Sequence, residues 1–213
     1  MTYQRRSKTE LARRVAQDIP DGACINLGVG MPTQVSNYLP ADREIVLHSE
    51  NGILGMGPSA GAGEEDGDLI NAGKEPVTLL PGGAFFHHAD SFMMIRGRHL
   101  DISVLGAFQV SVAGDLANWS TGEPGAIPAV GGAMDLAAGA RQIWVIMDLL
   151  TKDGRSKIVD RCTYPLTGVK CVDRVYGDLA TLEFTVRGPR AIDIVDGLAL
   201  AELEALLGIR LAG

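Results

Sequence analysis

Short apolar runs recur along the chain, and most of them are followed by a segment that contains glycine. These runs are nearly continuous and do not alternate with polar residues. Continuous apolar runs of this length are typical of parallel strands that are covered on both faces of a sheet. The pattern predicts such strands at residues 23–27, 44–48, 76–80, 102–105 and 142–147.

Helical periodicity separates several of these runs. Leu11, Val15 and Ile19 fall on one helical face, and Ser7 with Glu10 forms a capping-box pattern, so a helix is predicted over 8–19. Further helices are predicted over 33–39, 134–140 and 198–207, and an alternating strand over 179–186. We therefore expect a single α/β domain over 1–213, built as an open, mostly parallel sheet with helices on both faces.

A glycine loop, Gly28-Val29-Gly30, lies between the first strand and the next helix. This order is the opening of a βαβ unit. The loop can be a tight turn that packs helix on strand, a bed of N–H donors for an anion or oxyanion, or part of a dinucleotide site. The dinucleotide fingerprint requires a third glycine where this chain has Thr33, although Glu50 stands near the position of its acidic residue.

Glu50 follows the second predicted strand, in the sequence Ser49-Glu50-Asn51-Gly52. Ligands of open α/β sheets bind at the carboxyl ends of strands, where a carboxylate can hold a metal, act as a base or act as a nucleophile. Asn51 and Gly52 are turn residues that would aim the glutamate out of the sheet. Because no second group of acids or histidines has metal-ligand spacing, we expect no metal; an N-cap or surface carboxylate is the structural alternative.

Two further segments carry candidate chemistry. Gly131 and Gly132 precede the helix predicted over 134–140, so their amides either form an oxyanion hole or only begin that helix. His87 and His88 are expected in a strand, where adjacent side chains face opposite sides and cannot both bind one metal. One histidine is therefore expected to be structural and the other to line a pocket.

Composition narrows the classes of function. Acidic residues outnumber basic ones by 26 to 19, for a net charge of -7, which argues against nucleic acid and anionic membranes as partners. Cys24, Cys162 and Cys171 have irregular spacing, typical of reduced thiols. With neither a signal-peptide core nor a membrane-length apolar stretch, a soluble, cytoplasmic protein is expected. The 27 glycines indicate special backbone angles or close approach to a ligand.

Several motifs together resemble the β subunits of class I CoA-transferases. SENGILGMGP at 49–58 resembles the active-site signature of that family. Similar in the same order are NLGVGMPT at 26–33, GGAFFHHADSFMMIRG at 82–97, HLDISVLGAFQVSVAGDLANW at 99–119, VGGAMDLAAGA at 130–140 and CTYPLTG at 162–168. FFHHADSF with GEEDGDLINAGK is most similar to members that use 3-oxoadipate, and acetoacetate stays open as the alternative acceptor.

The resemblance implies the CoA-transferase fold and no permanently bound cofactor, because CoA is both a substrate and part of a covalent intermediate. Glu50 would attack the thioester of succinyl-CoA and then carry CoA as a glutamyl thioester to the 3-oxo acid. The family pattern implies oxyanion amides at Gly131 and Gly132. It also implies binding roles for the facing loop at Gly28 and Gly30.

The same resemblance implies a turn shaped by Asn51 and Gly52 and a partner, a separate α subunit in an α2β2 assembly. Since this acidic chain has few cations to spare, the α subunit is expected to supply much of the positive charge that meets the CoA phosphates and the distal carboxylate. Arg98 and Leu149 depart from the family pattern, which has glycine and histidine there. The alternative of a different class is a non-catalytic acyl-CoA-binding module.

Overall fold

Nine strands form one mixed sheet in the computed structural model, which describes residues 3–123, 125 and 130–213. The strands are β1 (Cys24–Leu27), β2 (Val46–Ser49), β3 (Ile53–Ser59), β4 (Val77–Phe85), β5 (Ile102–Leu105), β6 (Gln109–Ser111), β7 (Leu116–Ala117), β8 (Gln142–Met147), β9 (Ile158–Val159), β10 (Val172–Gly177), β11 (Ala180–Thr185) and β12 (Gly188–Ile194). The helices are α1 (Lys8–Asp18), α2 (His88–Arg96), α3 (Ala133–Gly139), α4 (Leu200–Leu207) and a 3-10 helix (Met31–Tyr38).

The middle of the large sheet is parallel. Its strand order is β12-β11-β10-β8-β5-β1-β2-β3-β4, and the five strands from β10 to β2 run in the same direction. Ile25 of β1 lies opposite Leu47 on one side and Ile102 on the other. Antiparallel strands are added at both ends, and β6, β7 and β9 form a separate small sheet.

Two hydrophobic cores lie on opposite faces of the large sheet. In β8, Val145 and Met147 belong to one core, whereas Trp144 and Ile146 belong to the other. Helices α2, α3 and α4 cover the first core, and α1 with the 3-10 helix covers the second. The predicted α/β class, an open and mostly parallel sheet with helices on both faces, is confirmed.

Helix α1 begins where its sequence predicts. The Ser7 side chain accepts from the Glu10 amide at 3.3 Å, and the Glu10 carboxylate accepts from the Ser7 amide at 2.7 Å, which completes the capping box. Its buried face, which includes Leu11 and Val15, covers the sheet. No helix in the described residues combines the length and apolarity needed to cross a membrane.

The expectation of a parallel strand at 76–80 followed by a turn is wrong. β4 continues through Pro81 to Phe85 and pairs antiparallel with β3, which the sequence pattern did not predict. The proline is compatible with this position because β4 is the edge strand of the sheet and its amide is not required on the open side.

The expectation of a strand at His87 and His88 is also wrong. His87 is the N-cap of α2, where its Nδ1 atom accepts from the Ala89 amide at 3.1 Å, and His88 begins the helix. The helix predicted over 33–39 begins earlier, at Met31, and is a 3-10 helix with proline in its first turn.

Candidate active site

Glu50 lies in a tight turn between β2 and β3. The Gly52 amide donates to the Ser49 carbonyl at 3.0 Å and closes the turn. Gly52 has a φ of 109°, and a Cβ atom there would overlap the Phe86 carbonyl oxygen, so only glycine fits. The Asn51 side chain donates to the Ile70 carbonyl at 2.7 Å, which ties the turn to the following loop. Asn51 and Gly52 therefore shape the turn that presents Glu50.

The Glu50 side chain faces a cleft of about 460 Å³ at the carboxyl ends of the parallel strands. The ends of β1 and β5 contribute Leu27 and Leu105 to its wall, and the end of β8 contributes Ile146 and Met147. A ligand site at this edge of an open α/β sheet is the expected position. The largely apolar wall keeps water away from whatever binds beside the carboxylate.

Burial raises the pKa of Glu50 above its ordinary value. The charge of His88 opposes this shift, and the charge of Asp135 adds to it. A carboxylate with a raised pKa is more basic in its ionised form and therefore more nucleophilic. The half-buried environment of Glu50 is thus suited to attack on a carbonyl group.

Gly132 is packed directly against the Glu50 carboxylate. A Cβ atom at Gly132 would lie 3.2 Å from Cδ of Glu50 and 3.0 Å from Cζ of Phe92. Gly131 lies beside it with a φ of 52°, and both glycines line the cleft. Within the described part of the chain, neither amide donates to another protein group, so both are available to a ligand.

The facing loop is built differently. The Gly28 amide donates to the Val104 carbonyl at 2.8 Å, so Gly28 contributes backbone surface to the cleft and not a free N–H donor. A Cβ atom on Gly28 would lie 3.1 Å from Leu105 Cδ2. Gly30, with a φ of 91°, caps the 3-10 helix, and its carbonyl accepts from Thr33. Gly30 shapes the loop without lining the cleft.

Sequence reasoning missed three side chains at this site. Asn26 and Lys157 line the cleft, and His48 is buried beneath the Glu50 turn. Burial lowers the pKa of Lys157, which the charges of Asp148 and Asp178 oppose. A polar residue within a predicted buried strand, as Asn26 and His48 are, was the available signal.

Other candidate groups lie apart from this chemistry. His87 and His88 are both exposed, so the expectation that one of them is structural in the interior is wrong. Burial raises the pKa of Cys24, Cys162 and Cys171 to about 11 in each case, so these thiols stay protonated at neutral pH. In the described ranges, no group of three or more histidines, cysteines and acids is placed to hold a metal ion.

Comparison with known proteins identifies the family. The family model described as "Coenzyme A transferase" matches residues 8–198. The chain belongs to this CoA-transferase family. It is 66% identical over 205 residues to one subunit of the 3-oxoadipate CoA-transferase of Pseudomonas putida, covering 96% of each chain. It is 57% identical over 211 residues to the subunit of the same name from Acinetobacter baylyi, covering 99% of this chain and 97% of that one.

The family fold is also found among solved structures. An acyl-CoA transferase of Escherichia coli O157:H7 superposes with a TM-score of 0.70 at 20% identity, over 92% of this chain. This chain spans 39% of the length of that one. The two positions that depart from the family pattern lie away from Glu50: Arg98 is exposed with a φ of 60°, and Leu149 is fully buried in a core.

Proposed function

We propose that this chain is the β subunit of an enzyme that transfers CoA from succinyl-CoA to 3-oxoadipate, with Glu50 as the nucleophile. The observation that carries the proposal is the position of the half-buried Glu50 carboxylate, at the strand ends and against Gly132. The names of the relatives from Pseudomonas and Acinetobacter support the choice of acceptor.

The reaction proceeds through two kinds of acyl-glutamate. A Glu50 oxygen attacks the succinyl-CoA carbonyl, the C–S bond breaks, and CoA leaves as a thiolate from an enzyme–succinyl anhydride. The thiolate attacks the γ-carbonyl of Glu50, which forms a glutamyl-CoA thioester and releases succinate. The carboxylate of 3-oxoadipate then attacks this thioester and expels the thiolate again. The thiolate finally attacks the 3-oxoadipyl carbonyl of the new anhydride, which yields 3-oxoadipyl-CoA and regenerates the Glu50 carboxylate.

Each of these steps passes through a tetrahedral oxyanion and a water-sensitive intermediate. The amides of Gly131 and Gly132 are the donors that stabilise the oxyanion, and removal of one such donor costs about 10²–10³ in rate. The apolar wall protects the anhydride and the thioester from hydrolysis. Carboxylate exchange requires neither a strong base nor a bound metal.

The partner of this chain is a separate α subunit, and we propose an α2β2 assembly. Lys157 is the basic side chain among the described residues that line the cleft. One cation is a small complement for a ligand that carries phosphates and a distal carboxylate, and the chain itself is acidic. The α subunit therefore supplies most of the positive charge for CoA.

The test is to trap the intermediate on the assembled enzyme. The α and β subunits are mixed with succinyl-CoA, treated with hydroxylamine or borohydride, and digested for mass spectrometry. The modification is expected on the peptide that contains Glu50, and Glu50→Gln is the control that abolishes it. An active enzyme that is labelled elsewhere would refute the role of Glu50.

Acceptor profiling decides the substrate. The kcat/KM values for 3-oxoadipate and acetoacetate are compared on the same α/β preparation, and 3-oxoadipate is expected to be preferred. A preference for acetoacetate would replace the proposed acceptor. Tight CoA binding without transfer to either acid would favour a non-catalytic acyl-CoA-binding module.

A further inference from the structure

A buried polar network lies directly beneath the Glu50 turn, and the mechanism described above does not use it. It consists of Asn26 on β1, His48 on β2 and Ser91 on α2, which are 2%, 1% and 0% exposed. Asn26 and His48 are opposite each other in the parallel pair β1–β2. Buried polar side chains are costly unless their hydrogen bonds are satisfied, so this arrangement needs a reason.

The hydrogen bonds of the network determine the tautomer of His48. Asn26 Nδ2 lies 3.1 Å from the His48 carbonyl oxygen, which accepts, so Nδ2 is the amide nitrogen and donates. The same Nδ2 lies 3.2 Å from His48 Nδ1, which must therefore accept. The proton of the neutral ring is on Nε2, which donates to Ser91 Oγ at 2.9 Å. Burial lowers the pKa of His48 and favours this neutral form.

The network ends at the peptide group that precedes Glu50. Because Ser91 Oγ accepts from His48, its own hydrogen is free to donate, and the Ser49 carbonyl lies 3.4 Å away. That carbonyl is the one that the Gly52 amide uses to close the turn. The His48 ring is also stacked on Phe86, with centroids 6.0 Å apart, and the Phe86 amide donates to the Gly52 carbonyl. His48 thus contacts both sides of the turn.

We propose that His48 is a positioning residue for Glu50, acting through Ser91 and the Ser49 carbonyl. The inference rests on the proposed function, since it assigns His48 a role in the reaction of Glu50. The Glu50 carbonyl carbon must return to one place in all four acyl-transfer steps, whereas its substituent changes from oxygen to CoA sulfur and back. A rigid connection from β1 through α2 to the turn supplies this constancy. Misplacement of a reacting group by about 1 Å can cost about 10²-fold in rate.

The alternative role of His48 is purely structural, as a satisfied core histidine. The two roles differ in what a substitution changes. A structural role predicts loss of stability with normal turnover of the folded fraction, whereas a positioning role predicts low kcat in a folded enzyme with substrate binding preserved.

The experiment compares three substitutions in the α/β complex. A Gln amide places an acceptor and a donor much as the neutral imidazole does, so His48→Gln is expected to keep kcat within about threefold of wild type. His48→Asn is too short to reach Ser91, and His48→Leu forms no hydrogen bond. Both are expected to lower kcat by about 10–100-fold with the KM for succinyl-CoA within about threefold. Trapping of the Glu50 thioester in the half-reaction is expected to slow by the same factor.

Two further variants complete the design. Ser91→Ala is expected to lower kcat as His48→Leu does, and the double variant to add less than about threefold, because both break one connection. Tyr176→Phe is the matched control: it removes a buried hydrogen bond to Asp18, 2.8 Å long, from a site that does not line the cleft. It is expected to lower the melting temperature and leave kcat unchanged.

Two outcomes overturn the positioning role. One is a His48→Leu enzyme with kcat within about threefold of wild type. The other is a series in which kcat follows the melting temperature across all variants, Tyr176→Phe included. Failure of the proposed function is a different result, since the wild-type complex itself would then transfer no CoA to either acid.

Discussion

Gly132 lies so close to Glu50 that a Cβ atom on the glycine would overlap Oε2 of the carboxylate. The obstacle on the other side is the Phe92 ring, 3.0 Å from the same Cβ position, so the new atom has no free direction. The backbone of the second cleft wall therefore contacts the nucleophile directly. This contact exists only because residue 132 has no side chain.

We expect Gly132→Ala to lower kcat by about 100-fold or more, because the methyl group displaces the carboxylate from its amide donors. Stability should change little, since Gly132 has a φ of -85°, which alanine adopts readily. Steady-state kinetics and thermal unfolding of the α/β complex check both parts.

Gly131→Ala is the matched control. A Cβ atom at Gly131 meets no atom within 4 Å, but its φ of 52° is in the left-handed region. We expect a loss of about 1 kcal/mol in the free energy of unfolding and a much smaller loss of kcat than for Gly132→Ala. Equal kinetic effects of the two substitutions would mean that the glycine segment, and not contact with Glu50, sets the rate.

The pKa of Glu50 predicts a pH-dependent stability difference for Glu50→Gln. Because the folded-state pKa is raised, the native protein binds more protons than the unfolded chain above pH 4.5, and stability falls as pH rises through the folded pKa. Glutamine lacks this penalty. The variant is expected to melt at a higher temperature than wild type at pH 7, and at the same temperature below pH 4.5.

Glu65→Gln provides the control for that comparison, because it removes one negative charge from an exposed loop of an acidic chain. If both variants gain stability equally at pH 7, general charge repulsion and not the burial of Glu50 explains the gain.

Lys157 gives a prediction about acceptor choice. A charge-assisted hydrogen bond contributes about 1.5–3 kcal/mol, so Lys157→Met should raise the KM for 3-oxoadipate by about 10–100-fold. The effect on acetoacetate, which lacks the distal carboxylate, should be smaller. Lys152→Met, in the exposed loop before it, is the control and should alter neither KM. Equal effects on the two acids would assign Lys157 to the shared part of the substrates or to CoA.

Arg98 is a position where the sequence opposes the backbone. Its φ of 60° belongs to the left-handed region, where a non-glycine residue costs about 1–2 kcal/mol. Part of this is offset by the greater freedom of glycine in the unfolded chain, so Arg98→Gly should stabilise the protein by about 0.5–1 kcal/mol. Arg98→Ala keeps the strained conformation and should give no gain. Denaturant unfolding of both variants distinguishes backbone strain from an effect of charge.

Local patterns predicted the elements whose cause is local. The capping box of Ser7 and Glu10 gives the start of α1, and the apolar runs give four of the five central strands within two residues of their bounds. The Asn51-Gly52 pair predicted the turn at Glu50, because turn propensity depends on the residues themselves. These features need no distant partner.

The elements that were missed depend on distant residues. β3 contains Gly55, Gly57 and Pro58, which locally favour a loop, and it becomes a strand through pairing with β4. His87 resembles a strand residue until its side chain caps the helix that follows. His48 gains its partner Ser91 across 43 positions of sequence. Local pattern carries no record of such contacts.

The sequence by itself determined the strand–loop–helix order, the glutamate at a strand end and, through its motifs, the family. Only the tertiary structure decided which backbone groups remain free to act: the Gly28 amide is used by the sheet, whereas those of Gly131 and Gly132 face the cleft with no acceptor among the described residues. It also decided that Gly132 contacts Glu50 and that His48 supports the turn. The physical reason is that hydrogen-bond satisfaction and close packing are properties of residues that meet in space, and here they are brought together by strands and helices far apart in the chain.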